Sequence, residues 1–345
     1  MESNKSTFKK ILKNGGAFVL LIGITFFVLL RNNNPGELFQ LLRTVDPFFL
    51  VAGVLAMCVF ILCESINLGR CLKLLGYKPR FHQCLKYAFA GFFFSSITPS
   101  ASGGQPMQAY YMHKDKVELS HSALALLIEL ASYQLVTVSF ALLGSVVQYR
   151  LIYESIGRMQ YLFILGVALN SGILFFILGA IFSKKLSNSF LTIVRKVFSF
   201  FGFSKADLLY HKAKTHLMEY QKCAAYFLNN KSASLKIVLT SCVQIIALHS
   251  VTYWVYRSFG LETNSFLTVL AIQSVLYITV SALPLPGAVG ASEGGFLLLF
   301  KTLFPKQILS GGMLLSRGIS FYLFVLISGL SLGVYSIRRK QQPPV

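Results

Sequence analysis

Four charged side chains sit inside stretches apolar enough to lie in a membrane: Glu64, Glu129, Glu293 and Arg317. A charge at the centre of a membrane-spanning helix costs at least about 2.5–3.5 kcal/mol on insertion scales, so each needs a counter-charge, a wet cavity or a chemical task. Glu129 lies 30 residues after Pro99 and Arg317 lies 31 after Pro286. The two are near-equivalent positions of opposite charge, expected to approach each other or to share a polar cavity. Glu293 stands in Gly290-Ala291-Ser292-Glu293-Gly294-Gly295, where a helix would begin. There it can cap the helix dipole, or it can face a ligand or exchange a proton. Glu64 precedes Asn67 and Arg70 near the end of its apolar run, so a local ion pair or snorkelling is the expectation. Arg317, near the outer end of its own run, can snorkel as well.

Two broken apolar stretches supply the neutral groups around these charges. The first contains Thr98-Pro99-Ser100-Ala101-Ser102-Gly103-Gly104-Gln105, the second Pro284-Leu285-Pro286-Gly287-Ala288-Val289-Gly290-Ala291, and both hold a P-x-A-x-G core. Pro removes a backbone donor, and Gly103, Gly104, Gly287 and Gly290 admit left-handed geometry. Unpaired backbone costs several kcal/mol per group in hydrocarbon, so such breaks must be buried in protein or line a wet cavity. Both are therefore expected to be re-entrant helical hairpins with tips near the bilayer interior. Four ordinary Pro-kinked spans give the same parity, and residues 266–283 alone are nearly long enough to cross. Half-helix starts after Pro99 and Pro286 would aim N–H groups at the cavity. With Ser102, Gln105 and Ser292 as neutral hydrogen-bonding groups and Arg317 as the cation, this chemistry suits a phosphate- or carboxylate-bearing group. Tyr110, Tyr111, Tyr133 and Tyr277 either frame it or serve as packing and interface anchors.

The elements that must position these groups follow from the charge distribution. Only 13% of the 345 residues are charged, about half the usual share of a soluble protein, and the net charge is +20. That composition excludes a disordered chain, a coiled coil and an ordinary cytosolic enzyme. Unbroken apolar runs near the ~20 residues that a span requires occupy 11–30, 48–67, 120–149, 160–182, 237–256 and 311–336, while 87–113 and 266–304 are the broken ones. With a cytoplasmic N-terminus, 24 of the 32 basic residues fall in in-facing segments. This is the positive-inside pattern, and it accounts for the charge without nucleic acid. The first run lacks a small-x-small cleavage site and is expected to remain as a span.

The expected fold is an all-α polytopic membrane protein, a single integral membrane domain over 1–345 with six full spans and two re-entrant hairpins. Residues 48–149 and 236–336 form an inverted-topology repeat, the arrangement common in secondary transporters. Between them, 184–236 is too polar to span. It carries Phe190, Ile193, Val194, Val197, Phe198 and Phe201 at helical spacing with basic residues alongside, and is expected to form amphipathic cytoplasmic helices at the headgroups or under the bundle. Six cysteines include no CxxC pair, and no HExxH, GxSxG, paired-Asp or Walker A motif occurs. Neither a metal nor another cofactor is expected, and ATP hydrolysis is not the expected drive.

The motif residues Thr98–Pro106, Glu129, Pro284–Gly294 and Arg317 resemble the lysylphosphatidylglycerol synthase transmembrane family, the flippase-like membrane domain of the bacterial multiple peptide resistance factor. The resemblance covers nearly the whole chain, and P-x-P-G-x-x-G-x-x-E-G is its more specific part. It implies translocation of phospholipid, aminoacylated phosphatidylglycerol being the best-known cargo, across a bacterial cytoplasmic membrane, with a role in antimicrobial peptide resistance. The soluble aminoacyl transferase of the two-domain members is expected to be absent, so no lysyl-transfer activity is expected. Glu129 is followed by Leu130 where the family usually has a basic residue, so no pairing is carried over at that site.

The leading expectation is a flippase or lipid-headgroup transporter whose partner is anionic or aminoacylated membrane phospholipid, with both termini cytoplasmic. An integral membrane enzyme acting on a lipid headgroup or polyprenyl phosphate is the alternative, with Glu293 and Gln105 as its nearest acid–base pair. A membrane scaffold for a separately encoded lipid synthase is the third. Self-association is left open by the sequence.

Overall fold

The structure, a computed structural model, describes residue 36, residues 43–150, 157–182, 192, 230–281 and 283–340. The first apolar run at 11–30 and nearly all of the basic segment expected to be amphipathic lie outside the described residues. Ten α-helices and short 3₁₀ turns occupy the remainder, with no strand among the described residues.

The helices are α1 Pro47–Leu74, α2 Phe81–Ile97, α3 Gly104–Lys114, α4 Leu119–Val147, α5 Gln160–Phe182, α6 Lys231–Ser258, α7 Phe266–Ser281, α8 Ala291–Leu299, α9 Lys306–Arg317 and α10 Leu323–Lys340. Five are long and apolar enough to cross a membrane: α1, α4, α5, α6 and the composite of α9 and α10 over Lys306–Ser336. The sequence runs located all five, and the structure lengthens several of them. Lys231 and Lys236, for instance, ride on the first turns of α6.

In α1, Phe48, Val51, Leu55, Val59, Leu62 and Ile66 are exposed and recur three or four residues apart, one face of a helix. The opposite face buries Ser65 and Asn67, and α6 likewise exposes Leu235, Leu239 and Val243 while burying Ser241, Gln244 and His249. An apolar face turned outward with polar side chains turned inward is unfavourable in water and natural in lipid.

Both α1 and α6 begin at a side-chain cap: Asp46 Oδ1 accepts from the Phe48 N–H at 2.9 Å and Asn230 Oδ1 from the Ala233 N–H at 3.3 Å. They lie side by side in opposite directions. The Asp46 N–H donates to the Ser258 carbonyl at 2.8 Å at one end, and at the other Asn67 Nδ2 donates to the Ile237 carbonyl (3.3 Å) and to Ser241 Oγ (3.2 Å).

After α1 and after α6 the same order follows: a shorter helix, a Pro-containing turn, a short helix and a long helix. The turns share the backbone of their first half. Thr98 (φ −115°, ψ 144°) and Leu285 (φ −101°, ψ 138°) are extended. Ser100 and Ala101 (φ 52° and 54°) match Gly287 and Ala288 (φ 57° and 51°). The N–H groups of Ala101 and Ser102 bond the carbonyls of Thr98 and Pro99, as those of Ala288 and Val289 bond Leu285 and Pro286. Three of these four left-handed residues carry a Cβ, at a cost of roughly 1–2 kcal/mol each. Such strain persists only where the surroundings enforce it.

At 11 and 9 residues, α3 and α8 span roughly 16 and 14 Å at 1.5 Å per residue. Neither reaches across a hydrocarbon core of about 30 Å. Instead α3 returns along α2, whose Ser95 Oγ lies 2.0 Å from where a Cβ on Gly104 would sit. In the same way α8 lies against α7, with Gly295 facing Leu276. The long helices then cross over: α2 packs on α10 and α7 on α4. Wedged between α4, α5, α6 and α8, α7 is buried over most of its length. Close approach there depends on Gly166, where a Cβ would stand 2.2 Å from the Ile278 carbonyl oxygen.

Candidate functional site

The two Pro turns touch each other, and Ile97 from the first packs with Val289 from the second and with Phe321. Against this junction lies the main buried ion pair. Glu293, 4% exposed, accepts the Arg317 Nε–H at 2.9 Å and the Tyr322 hydroxyl at 2.9 Å on Oε1. Its Oε2 accepts the Gly290 N–H at 2.6 Å. Glu293 thus caps α8, as its place in a first helical turn suggests, and neutralises a guanidinium with the same carboxylate.

Arg317 also donates through Nη2 to the Gly287 carbonyl at 3.0 Å, and its guanidinium lies 4.3 Å from the Phe321 ring centre. Of its five N–H donors, Glu293 and Gly287 take two among the described residues. Glycine suits both positions of this turn. At Gly287 a Cβ would stand 2.1 Å from Phe321 Cζ, and Gly290 sits at φ 85°, ψ −49°.

Arg317 and Tyr322 are five residues apart, which on an α-helix would separate their directions by about 140°. They converge on one carboxylate because Gly318–Tyr322 forms a π-helical turn between α9 and α10. Turns of this kind recur at functional sites.

The expected approach of Glu129 and Arg317 is corrected on one point: the carboxylate that pairs with Arg317 is Glu293. Equivalent positions in two repeats meet only near the axis relating them. Here α4, which carries Glu129, packs on α7, while α9, which carries Arg317, packs on α6 and α8.

Glu129 instead is buried on α4. The expected local pairing of Glu64 is corrected as well. Glu64 Oε1 accepts from Gln108 Nε2 at 2.7 Å, whereas Arg70 is taken up by Asn67 Oδ1 (3.3 Å), the Lys236 carbonyl (3.0 Å) and the Thr240 hydroxyl.

The remaining expected residues are distributed as follows. Pro99, Gly103 and Gly104 form the first break, where the Gly103 N–H is held by Thr98 Oγ1 at 2.8 Å, and Pro286 opens the second. Ser292 is buried beside Glu293; Ser102 is exposed and Gln105 half-buried at the first turn. None of the four expected tyrosines contacts Arg317 through a hydrogen bond or ring among the described residues. Tyr133 and Tyr277 bond each other at 2.8 Å, Tyr110 faces Lys114 and Tyr111 faces Lys86.

Three groups escape the sequence argument: Tyr322, Gln108 and the buried pair Lys86–Asp115. Lys86 Nζ lies 2.5 Å from Asp115 Oδ2 and 2.8 Å from the Tyr335 hydroxyl, with side-chain exposures of 5% and 11% for the ion pair. Tyr87 donates to the same Asp115 oxygen at 2.6 Å, and Lys86 sits 4.2 Å from the Tyr335 ring centre. The pair closes the base of the α2–α3 hairpin and joins it to α10.

Five apolar crossing helices, lipid-suited outer faces and two Pro-broken helix pairs meeting at a buried ion pair define a polytopic helical membrane protein. The chain belongs to the lysylphosphatidylglycerol synthase TM region family, whose family model matches residues 16–328. It is similar to a UPF0104 membrane protein of Archaeoglobus fulgidus, 22% identical over 337 residues, 93% of this chain and 97% of that protein. A UPF0104 membrane protein of Methanothermobacter thermautotrophicus is 23% identical over 112 residues, 32% of each chain.

Proposed function

We propose that this protein moves phospholipid across the cytoplasmic membrane, passing the headgroup through a polar path at the junction of the two broken segments while the acyl chains stay in lipid. The observation that carries this is Arg317, held between Glu293 and the Gly287 carbonyl where both breaks meet. A phosphate competes with Glu293 for the guanidinium, because Arg pairs with phosphate in the same bidentate manner as with carboxylate. When it does, α8 loses the link from its capping carboxylate to α9. Ligand binding then shifts the balance between two arrangements of the hairpins, since the ligand contacts differ between them.

The opposed directions of α1 and α6 and the matched turns support an inverted repeat that opens to either side around one site. The short α3 and α8 support re-entrant hairpins, and the basic in-facing segments support cytoplasmic termini. The family's name supports a lipid carrying phosphatidylglycerol chemistry as cargo.

A phospholipid bearing a photoreactive group on its headgroup tests the path. Illumination of the wild-type protein in membranes is expected to attach lipid to residues 98–105 and 287–292, with Arg317→Met reducing that labelling severalfold. Adducts confined to the helix ends at the two membrane surfaces would contradict it.

A further inference from the structure

The Lys86 ammonium sits in a cage. It lies 5.1, 5.8 and 4.2 Å from the ring centres of Tyr87, Tyr111 and Tyr335, all within the roughly 6 Å over which an aromatic face attracts a cation. Asp115 Oδ2 stands 2.5 Å from Nζ, and the Tyr335 hydroxyl accepts a second N–H at 2.8 Å. The walls are tied to one another. The Tyr87 hydroxyl donates to the same Asp115 oxygen at 2.6 Å, and the Tyr111 and Tyr335 rings meet edge to face at 6.2 Å. They come from three helices: Tyr87 from α2, Tyr111 from the last turn of α3 with Asp115 just after it, and Tyr335 from α10.

A pairing between helices needs only the carboxylate. Aromatic faces around the cation and a second acceptor beside it add recognition chemistry for an ammonium. The two acceptors favour a primary ammonium, which has three N–H donors, over a quaternary one, which has none. The present occupant hangs on a flexible four-carbon stem from the sixth residue of α2, and such a stem lets the charge snorkel to a membrane surface. Tyr87 and Tyr111 are buried, whereas Asp115 and Tyr335 are partly exposed and the neighbours of Tyr335, Val334 and Ser336, are exposed. The cage therefore lies directly beneath the surface. One carboxylate balances one buried cation, so a second ammonium enters only as Lys86 leaves.

We propose that Asp115, Tyr87, Tyr111 and Tyr335 form a binding site for a primary ammonium, filled by Lys86 as a tethered stand-in and taken by an amine-bearing ligand in exchange. Lys86 is then a built-in competitor that sets how readily the site accepts a ligand. An amine-bearing lipid headgroup and a soluble alkylamine offer the same chemistry. Naming lipid as the source rests on the proposed translocation; the ammonium site itself does not. The exchange makes and breaks hydrogen bonds and ion pairs alone.

Lys86→Ala removes from the cage the atoms of n-propylammonium, and that salt is the first probe. In detergent, Lys86→Ala is expected to unfold at a lower temperature than the wild type. It should regain most of the difference in n-propylammonium chloride and none of it in sodium chloride at equal concentration. Lys86→Ala/Asp115→Asn is expected to show no such gain. The second probe is phosphatidylethanolamine against its N-acetyl derivative, which lacks the amine charge, with bound lipid counted by native mass spectrometry. The wild type is expected to favour the amine lipid, Lys86→Ala to widen that preference severalfold, and the double variant to abolish it. Lys86→Gln keeps a donor for Asp115 and gives the same lipid comparison if the alanine variant does not fold. Stabilisation by propylammonium without a lipid preference assigns the site to a soluble amine; the two together assign it to the headgroup. Equal stabilisation by sodium and propylammonium, or a preference for the amine lipid that survives in the double variant, would overturn the proposal. If the cage binds amines and no lipid crosses a membrane, the site stands and translocation falls; if lipid crosses and propylammonium stabilises nothing, the reverse holds.

Discussion

Arg317→Met is expected to destabilise the protein by about 3–5 kcal/mol, the cost of removing one partner from a buried ion pair and stranding the other. Glu293 is almost fully buried and would keep only the Gly290 N–H and the Tyr322 hydroxyl. Two neutral donors do not replace a guanidinium in a low-dielectric site. Glu293→Gln is expected to cost a similar amount for the converse reason, leaving Arg317 buried against Phe321 and the Gly287 carbonyl. The double variant Arg317→Met/Glu293→Gln should recover a large part of the loss, because neither charge is then left alone. Unfolding in detergent, by heat or by denaturant, measures all three. A double variant whose loss equals the sum of the single losses would mean that the two side chains act independently. All three variants are expected to stop lipid movement, since each removes the competition between carboxylate and phosphate on which the proposed mechanism depends.

The second large effect is expected at the base of the first hairpin. Asp115→Ala leaves the Lys86 ammonium buried among Tyr87, Tyr111 and Tyr335, with the Tyr335 hydroxyl as its one remaining bonded partner. Aromatic faces attract an ammonium by about 0.5–2 kcal/mol, well short of the roughly 3–5 kcal/mol penalty for breaking a buried pair. Net destabilisation of a few kcal/mol is therefore expected, concentrated at the junction of α2, α3 and α10. Limited proteolysis of the reconstituted protein should reveal new cleavage near residues 114–118. Lys86→Met/Asp115→Asn should restore resistance, since it removes both charges while keeping an acceptor for the Tyr87 hydroxyl. New cleavage in the double variant equal to that in Asp115→Ala would mean that Asp115 acts through Tyr87 alone.

Much of the architecture was legible because a bilayer demands long apolar stretches. The five described crossing helices fall on the runs at 48–67, 120–149, 160–182, 237–256 and 311–336. The two breaks were legible because Pro and Gly at matched spacing in apolar sequence have few structural explanations; their backbones match through Ala101 and Ala288 and part at Ser102 (ψ −16°) and Val289 (ψ 138°).

The side-chain partnerships were not legible, for identifiable reasons. The convergence of Arg317 and Tyr322 on Glu293 needs the π-turn at Gly318–Tyr322, and an α-helical spacing argument points these residues apart. Gln105 attracted attention because it follows the glycines. The buried glutamine is Gln108, one turn further along α3, and the opening that receives it is Gly91 in α2. Lys86 counted toward the in-facing charge although it is buried against Asp115. A usable signal was present there: opposite charges 29 residues apart flank the first broken segment and must meet if that segment folds back on itself.

The most direct test of the central claim follows a headgroup-labelled phospholipid in vesicles containing the purified protein. A quencher that cannot cross the bilayer destroys the label in the outer leaflet. With wild-type protein the fluorescence is expected to fall below the level of protein-free vesicles as inner-leaflet lipid emerges, and vesicles carrying Arg317→Met should match the protein-free level. Wild-type vesicles that retain their inner-leaflet label as completely as empty ones, for anionic, zwitterionic and cationic headgroups alike, would contradict lipid translocation by this protein.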